Sequence, residues 1–235
     1  MNLMNSKTKI GTNGLELPYR IFVPKGEKIK KPYSLLLFLH GAGERGNDNK
    51  KHINIHNDLI KRIMNDDIFK NECIIIAPQC PEGMQWVDTP WSNGNYSFDN
   101  ISISKPMQVV EEILSDVREK YDIDENRIYI SGISMGGFGT WYMMMRHPDY
   151  FAAAVPICGG ADPSKAVDIK HIPIRTYHNA DDSTVPVSGT REMVSALKNV
   201  GGDVLYTEHP FGEHNSWEAA FNEPDILEWI FAKHK

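Results

Sequence analysis

The chain has 235 residues, 31 acidic against 25 basic, for a formal net charge of −6; 41% of its residues are apolar and 24% charged. The acidic balance excludes a basic nucleic-acid footprint. No apolar run approaches the ~20 residues that span a bilayer, so no membrane partner is expected and the chain should fold in water. The start, Met1 to Lys9, lacks an apolar segment of roughly 7–15 residues, so a secretory leader is not expected and the protein is read as cytoplasmic. Cys73, Cys80 and Cys158 form an odd set without metal-ligand spacing and read as structural thiols. The Asn-x-Ser sequons at Asn95 and Asn100 read as coincidental in such a chain.

In chain order, Leu17–Val23 reads as an early strand. Ser34–His40, with five consecutive large apolar residues, reads as a strand buried on both faces. A helical pattern over His52–Met64 precedes a strand at Cys73–Ala77. The 26 residues Gln79–Ser104 show no periodicity, and a loop that long in a compact domain is functional or covers something. A helix over Lys105–Tyr121, with Val109, Val110, Ile113, Leu114 and Val117 on one face, leads to a strand at Arg127–Ile133 and a helix at Ser134–Arg146. Trp141 to Met145 on that helix read as core packing. Strands at Ala152–Cys158, Ile174–Ala180 and Val204–His209, with helices at Val187–Val200 and Pro224–Lys233, complete the alternation. No linker or repeat interrupts it, so residues 1–235 read as one α/β domain: a mostly parallel central sheet with helices on both faces. Functional groups then belong at the carboxyl ends of the strands.

Gly132-Ile133-Ser134-Met135-Gly136 falls where a strand turns into a helix. G-x-S-x-G at that junction is a nucleophile elbow, with Ser134 as the candidate nucleophile. After the Leu35–Leu39 run, His40-Gly41-Ala42-Gly43-Glu44-Arg45-Gly46 has the glycines to aim backbone N–H groups into a cleft, as an oxyanion hole requires. The amide of Met135 and that of Ala42, with Gly43 second, are the expected donors; Glu44 and Arg45 read as a local ion pair. Asp181 and Asp182 follow the Ile174–Ala180 strand, and either can be the orienting carboxylate. His214 alone among nine histidines lies on a loop after the last strand, ahead of a helix, and is the candidate base; His40 and His178, at strand ends, read as structural. Ser, Asp, His is the chain order of an α/β-hydrolase triad. No H-E-x-x-H or related spacing is present, so no metal and no cofactor are expected.

This ordered set resembles the α/β-hydrolase serine esterases, in the branch of polyhydroxybutyrate-depolymerase-like and feruloyl-type carbohydrate esterases, phospholipase/carboxylesterase relatives also labelled predicted peptidases. The likeness runs through Leu39–Gly46, Ala77–Pro81, Ile130–Trp141, Pro156–Gly160, His178–Pro186 and His214–Trp217. It implies the α/β-hydrolase fold. In the family the acid precedes Val-Pro by two residues, which selects Asp182 and completes a Ser134, Asp182, His214 triad. Asn179 stands where the family has glycine, an exchange asparagine's tolerance of unusual backbone angles can accommodate. The resemblance also implies a carboxylic ester hydrolase acting through an acyl-enzyme on short-acyl or hydroxycinnamoyl (feruloyl or acetyl) esters. A small-molecule or oligosaccharide ester, of plant origin for example, is the expected partner. Trp86, Trp91 and Trp217 are the aromatic candidates for substrate contact; the alternative for the first two is that they anchor the long loop. A small serine peptidase or amidase and a non-catalytic small-molecule binder are the alternative functions. Oligomeric state is not legible.

Overall fold

The computed structural model describes residues 3–235; Met1 and Asn2, part of the stretch read for a leader, lie outside the described residues. The chain runs through β1 (Asn5–Ile10), β2 (Glu16–Phe22), β3 (Tyr33–Leu39), α1 (Asp58–Asn65), β4 (Cys73–Pro78), α2 (Lys105–Lys120), β5 (Ile123–Ile133) and α3 (Met135–Arg146). It continues through β6 (Ala153–Ile157), the short α4 (Ala166–Ile169), β7 (Ile174–Asn179), α5 (Val187–Asn199), β8 (Val204–His209), α6 (Ser216–Asn222) and α7 (Ile226–Phe231). The eight strands form one sheet in the order β1-β2-β4-β3-β5-β6-β7-β8. β1 and β2 enter antiparallel, and every pairing from β4 to β8 is parallel. This is the α/β-hydrolase fold the sequence led to expect. Among the described residues no helix is long and apolar enough to cross a membrane.

The alternation along β3 explains the two-layered core. Leu35, Leu37 and Leu39 point to the face covered by α2, α3, α4 and α5, whereas Leu36 and Phe38 point to the face covered by α1, α6 and α7. Every residue of β3 and β4 is buried, as continuous apolar strands require when both faces are covered. β1 was not legible because its sequence, NSKTKI, has no apolar alternation. It is an exposed edge strand held by its ladder to β2 rather than by burial. The helix expected over His52–Met64 begins only at Asp58. His56 adopts φ 49°, which ends any earlier helical turn, and His52 is drawn to the sheet, its Nε2 donating to Ala77 O at 3.0 Å.

The parallel register brings five strand ends to one edge. Leu39 of β3 pairs with Gly132 of β5, Ile133 with Ile157 of β6, Ile157 with Tyr177 of β7, and Asn179 with His209 of β8. Close backbone approach at that edge depends on glycine: a Cβ at Gly136 would lie 2.0 Å from Leu39 O. Gly136→Ala is therefore expected to destabilise the fold by about 3 kcal/mol or more. For a chain of this size that lowers Tm by roughly 6–12 °C. Thermal melting beside Gly43→Ala, where an added Cβ meets nothing within 4 Å, is the check; equal Tm values for the two variants would contradict the close approach.

Candidate active site

Ser134 occupies the single-residue turn between β5 and α3 with φ 53° and ψ −118°, a conformation that costs a non-glycine residue of order 1–3 kcal/mol. Its amide donates to Ile157 O at 2.9 Å, which pins the turn to β6. The strain leaves Oγ at the head of α3, 2.8 Å from His214 Nε2. His214 Nδ1 lies 2.7 Å from Asp182 Oδ2. Three side chains separated by 48 and 32 positions in sequence thus form one continuous line of hydrogen bonds.

Asp182 is buried and its two oxygens face four donors. Oδ1 accepts the amides of Thr184 (2.8 Å) and Val185 (2.9 Å), and Oδ2 accepts from His214 and, at 3.2 Å, from His178 Nε2. Burial opposes the charge, but the bonds from His178, His214 and Val185 outweigh it and hold the carboxyl well below the usual range. The part played by His178 was not legible in sequence. Its Nε2 also faces Val185 O at 3.0 Å, so it stands between two acceptors and carries a proton. His178 is structural, as expected, and what it braces is the carboxylate that holds His214.

Asp181 does a different job. It is exposed and accepts the amides of Gly212 (3.2 Å) and Glu213 (2.8 Å), securing the loop that carries His214. Asn179 joins it: the residue stays in β7 rather than adopting an unusual backbone angle, and its Nδ2 donates to Glu213 O at 2.9 Å. Cys158 Sγ, the Asp182 carboxylate and His214 lie within 4.8 Å of one another. Burial pushes the Cys158 thiol up to about 12, so at neutral pH it is a neutral wall of the site.

Ala42 opens the turn Ala42–Glu44 beyond β3, and Met135 is the first residue of α3, where no carbonyl a turn behind can accept its N–H. A Cβ on Gly41 would sit 3.6 Å from Ile133 O, so this turn abuts the residue before Ser134. Two buried histidines support it. His40 Nδ1 donates to Gly41 O at 2.6 Å while Nε2 accepts the Cys80 amide at 2.9 Å, which describes a neutral ring. Burial lowers His40 to about 3 and His52, its neighbour, to about 4.

An unfolded histidine binds its proton near pH 6.5, well before these folded ones do. The unfolded state therefore gains protons first as pH falls, and stability is full above about pH 7 and is lost downward from 6.5. From these two residues the unfolding free energy is expected to drop roughly 2 kcal/mol between pH 6 and pH 5. Urea unfolding at a series of pH values tests it; a flat profile would mean the rings are not held neutral.

Two expectations need correction. Trp86 does not line the cleft: it is fully buried under the loop, edge-on to His40, with Nε1 donating to His40 O at 3.0 Å. Its indole N–H found a backbone acceptor, which let the whole ring enter the core. Nor do Glu44 and Arg45 pair with each other. Arg45 turns outward to Ala42 O (2.9 Å) and lies over the Trp91 ring, whereas Glu44 turns inward toward His56. Trp91 and Trp217 do border a cavity of about 220 Å³ with Ser134 and His214. Trp217 stands edge-on to His214 with ring centres 5.4 Å apart. His56, also on this cavity, had no signal in sequence because nothing local announces a left-handed residue 78 positions before the serine.

Residues 25–230 match the phospholipase/carboxylesterase family. The chain belongs to that family. Among solved structures, a thermostable esterase superposes on this carboxylesterase-family chain with TM-score 0.86 at 36% identity, over 100% of this chain and 64% of that one. Lysophospholipase-like protein 1 of Mus musculus is 27% identical over 241 residues, 94% of each chain. The bifunctional acetylxylan esterase/xylanase of Neocallimastix patriciarum is 28% identical over 180 residues, 76% of this chain and 23% of that protein. This carboxylesterase-family chain spans less than a quarter of the length of that enzyme and of several other curated relatives it matches. A ferulic acid esterase shares the fold, with TM-score 0.72 at 19% identity.

Proposed function

We propose that the chain is a serine carboxylic ester hydrolase that forms an acyl-enzyme on Ser134, with short-acyl or hydroxycinnamoyl esters, on oligosaccharides among others, as substrates. The observation that carries this reading is the line Ser134 Oγ, His214, Asp182, closed by bonds of 2.8 and 2.7 Å. His214 Nε2 accepts the Ser134 proton as Oγ attacks the ester carbonyl, and Asp182 stabilises the imidazolium that results. The amides of Met135 and Ala42 take the oxyanion, at the head of a helix whose dipole favours negative charge. Breakdown of the tetrahedral intermediate returns the proton to the departing alcohol. Water activated by the same histidine then releases the acid.

Family membership and the similarity to an esterase at 36% identity support an ester substrate over an amide. Trp91, half-buried beside Ser134, offers an aromatic wall for the acyl or alcohol group. The test is initial rates of wild type and Ser134→Ala on p-nitrophenyl acetate, p-nitrophenyl butyrate, methyl ferulate and an aminoacyl p-nitroanilide. Ester turnover that disappears in the variant is the expected result. Anilide cleavage without ester cleavage would overturn it in favour of an amidase.

A further inference from the structure

Glu44 is a buried group in the cleft that acyl transfer leaves unused. It shares its turn with Ala42 and its side chain is 5% exposed. Oε2 lies on the Gly41 side and faces that residue's amide without a hydrogen bond of normal geometry among the described residues, and Oε1 is the oxygen turned toward His56. Burial raises this carboxyl above its ordinary range against the opposing influence of His56. A buried carboxyl with so few partners is destabilising, and a donor to Oε1 would add one.

Across from it stands His56. An indole N–H can only donate, so the 3.0 Å contact from Trp217 Nε1 makes His56 Nδ1 an acceptor and places the ring proton on Nε2. That nitrogen is 3.9 Å from Glu44 Oε1, beyond direct hydrogen-bond reach. An oxygen about 2.8 Å from each would fit the gap, and it must accept from the imidazole while donating to the carboxylate. Water does both, and so does an alcohol or phenol hydroxyl that displaces it. An ether or carbonyl cannot donate, and a carboxylate or phosphate would meet the Glu44 charge. The two side chains border the same cavity as Ser134, His214 and Trp217, and the left-handed backbone of His56 shows its position is held against local preference.

We infer that Glu44 and His56 form a hydroxyl-binding pair that selects esters carrying a free hydroxyl on the acyl or the alcohol part. This inference rests on the ester-hydrolase reading, and its test separates the two. The affinities of intact esters for Ser134→Ala, with and without Glu44→Met, are measured by intrinsic tryptophan fluorescence for two matched pairs. Methyl ferulate against methyl 3,4-dimethoxycinnamate probes an acyl hydroxyl; glycerol monobutyrate against propyl butyrate probes alcohol hydroxyls.

In one pair the hydroxyl-bearing ester is expected to bind about 10- to 100-fold more tightly, and Glu44→Met to bring that ratio to within about threefold. The responding pair assigns the hydroxyl to the acyl or the alcohol side. His56→Asn, which keeps a residue tolerant of positive φ, should collapse the same ratio. The melting temperature of Glu44→Met should equal or exceed that of its parent, because an apolar chain of similar length replaces a buried carboxyl. Three results overturn the inference: no hydroxyl preference in either pair, a preference that survives both variants, or equal affinity losses for both members with a lowered melting temperature. Absence of wild-type turnover on all four esters would remove the hydrolase reading alone, since the binding ratios need no turnover.

Discussion

Ser134→Ala is expected to lower kcat for p-nitrophenyl esters by roughly 10⁴ to 10⁶, with the fold intact. The size follows from the role proposed for the triad. His214 has no other nucleophile to activate: the Cys158 thiol is neutral and buried beside it, and water would have to enter the place Oγ occupies. Substrate binding and the oxyanion amides persist in the variant, so the residual rate should still exceed that in water. The backbone at position 134 keeps φ 53° whichever small side chain it bears, so Tm should change little. Burst and steady-state measurements on purified protein decide the matter. A variant that retains more than a tenth of the activity would remove Ser134 from the mechanism.

For Asp182→Asn the expectation is a fall in kcat of about 10⁴ at neutral pH, and the hydrogen-bond census explains why no rearrangement rescues it. Four donors converge on the two carboxylate oxygens, but an asparagine has one acceptor oxygen. If that oxygen keeps the Thr184 and Val185 amides, the new NH₂ faces both histidines. It then donates to His214 Nδ1 and drives the ring proton to Nε2, where it points at Ser134 and leaves no base. His178 also loses an acceptor inside the protein, so a stability loss of roughly 1–3 kcal/mol should accompany the activity loss. Asp181→Asn is the comparison. Exposed and bonded only to loop amides, it should cost less than about tenfold in kcat, since an asparagine oxygen keeps the shorter bond from the Glu213 amide and gives up only the longer one from Gly212, at a solvent-exposed position. A larger effect at Asp181 than at Asp182 would reverse the assignment of the acid.

The legible parts of this protein are those written in local periodicity and turn chemistry. The Leu35–Leu39 run had to be a strand covered on both faces, and it is. The G-x-S-x-G pentapeptide can turn sharply because Gly132 and Gly136 both leave room for the backbone approach of α3 to Leu39 O, and Ser134 stands between them with φ 53°. Edge strand β1 was missed for a related reason: its stability comes from backbone pairing with β2, which leaves no apolar pattern to read.

By itself, then, the sequence determined the parallel part of the sheet, the strand-to-helix elbow and the order in which serine, acid and histidine reach the sheet edge, because these follow from side-chain alternation and from residues a few positions apart. Tertiary structure alone decided which aromatics face the cleft. Trp86 went into the core once its N–H met His40 O, while Trp217 went to His56 and His214. It also decided that Glu44 turns to His56 rather than to Arg45, and that His178 braces Asp182. Each of those outcomes depends on which distant group offers a buried donor or acceptor its partner, and a side chain's own neighbours in sequence do not carry that information.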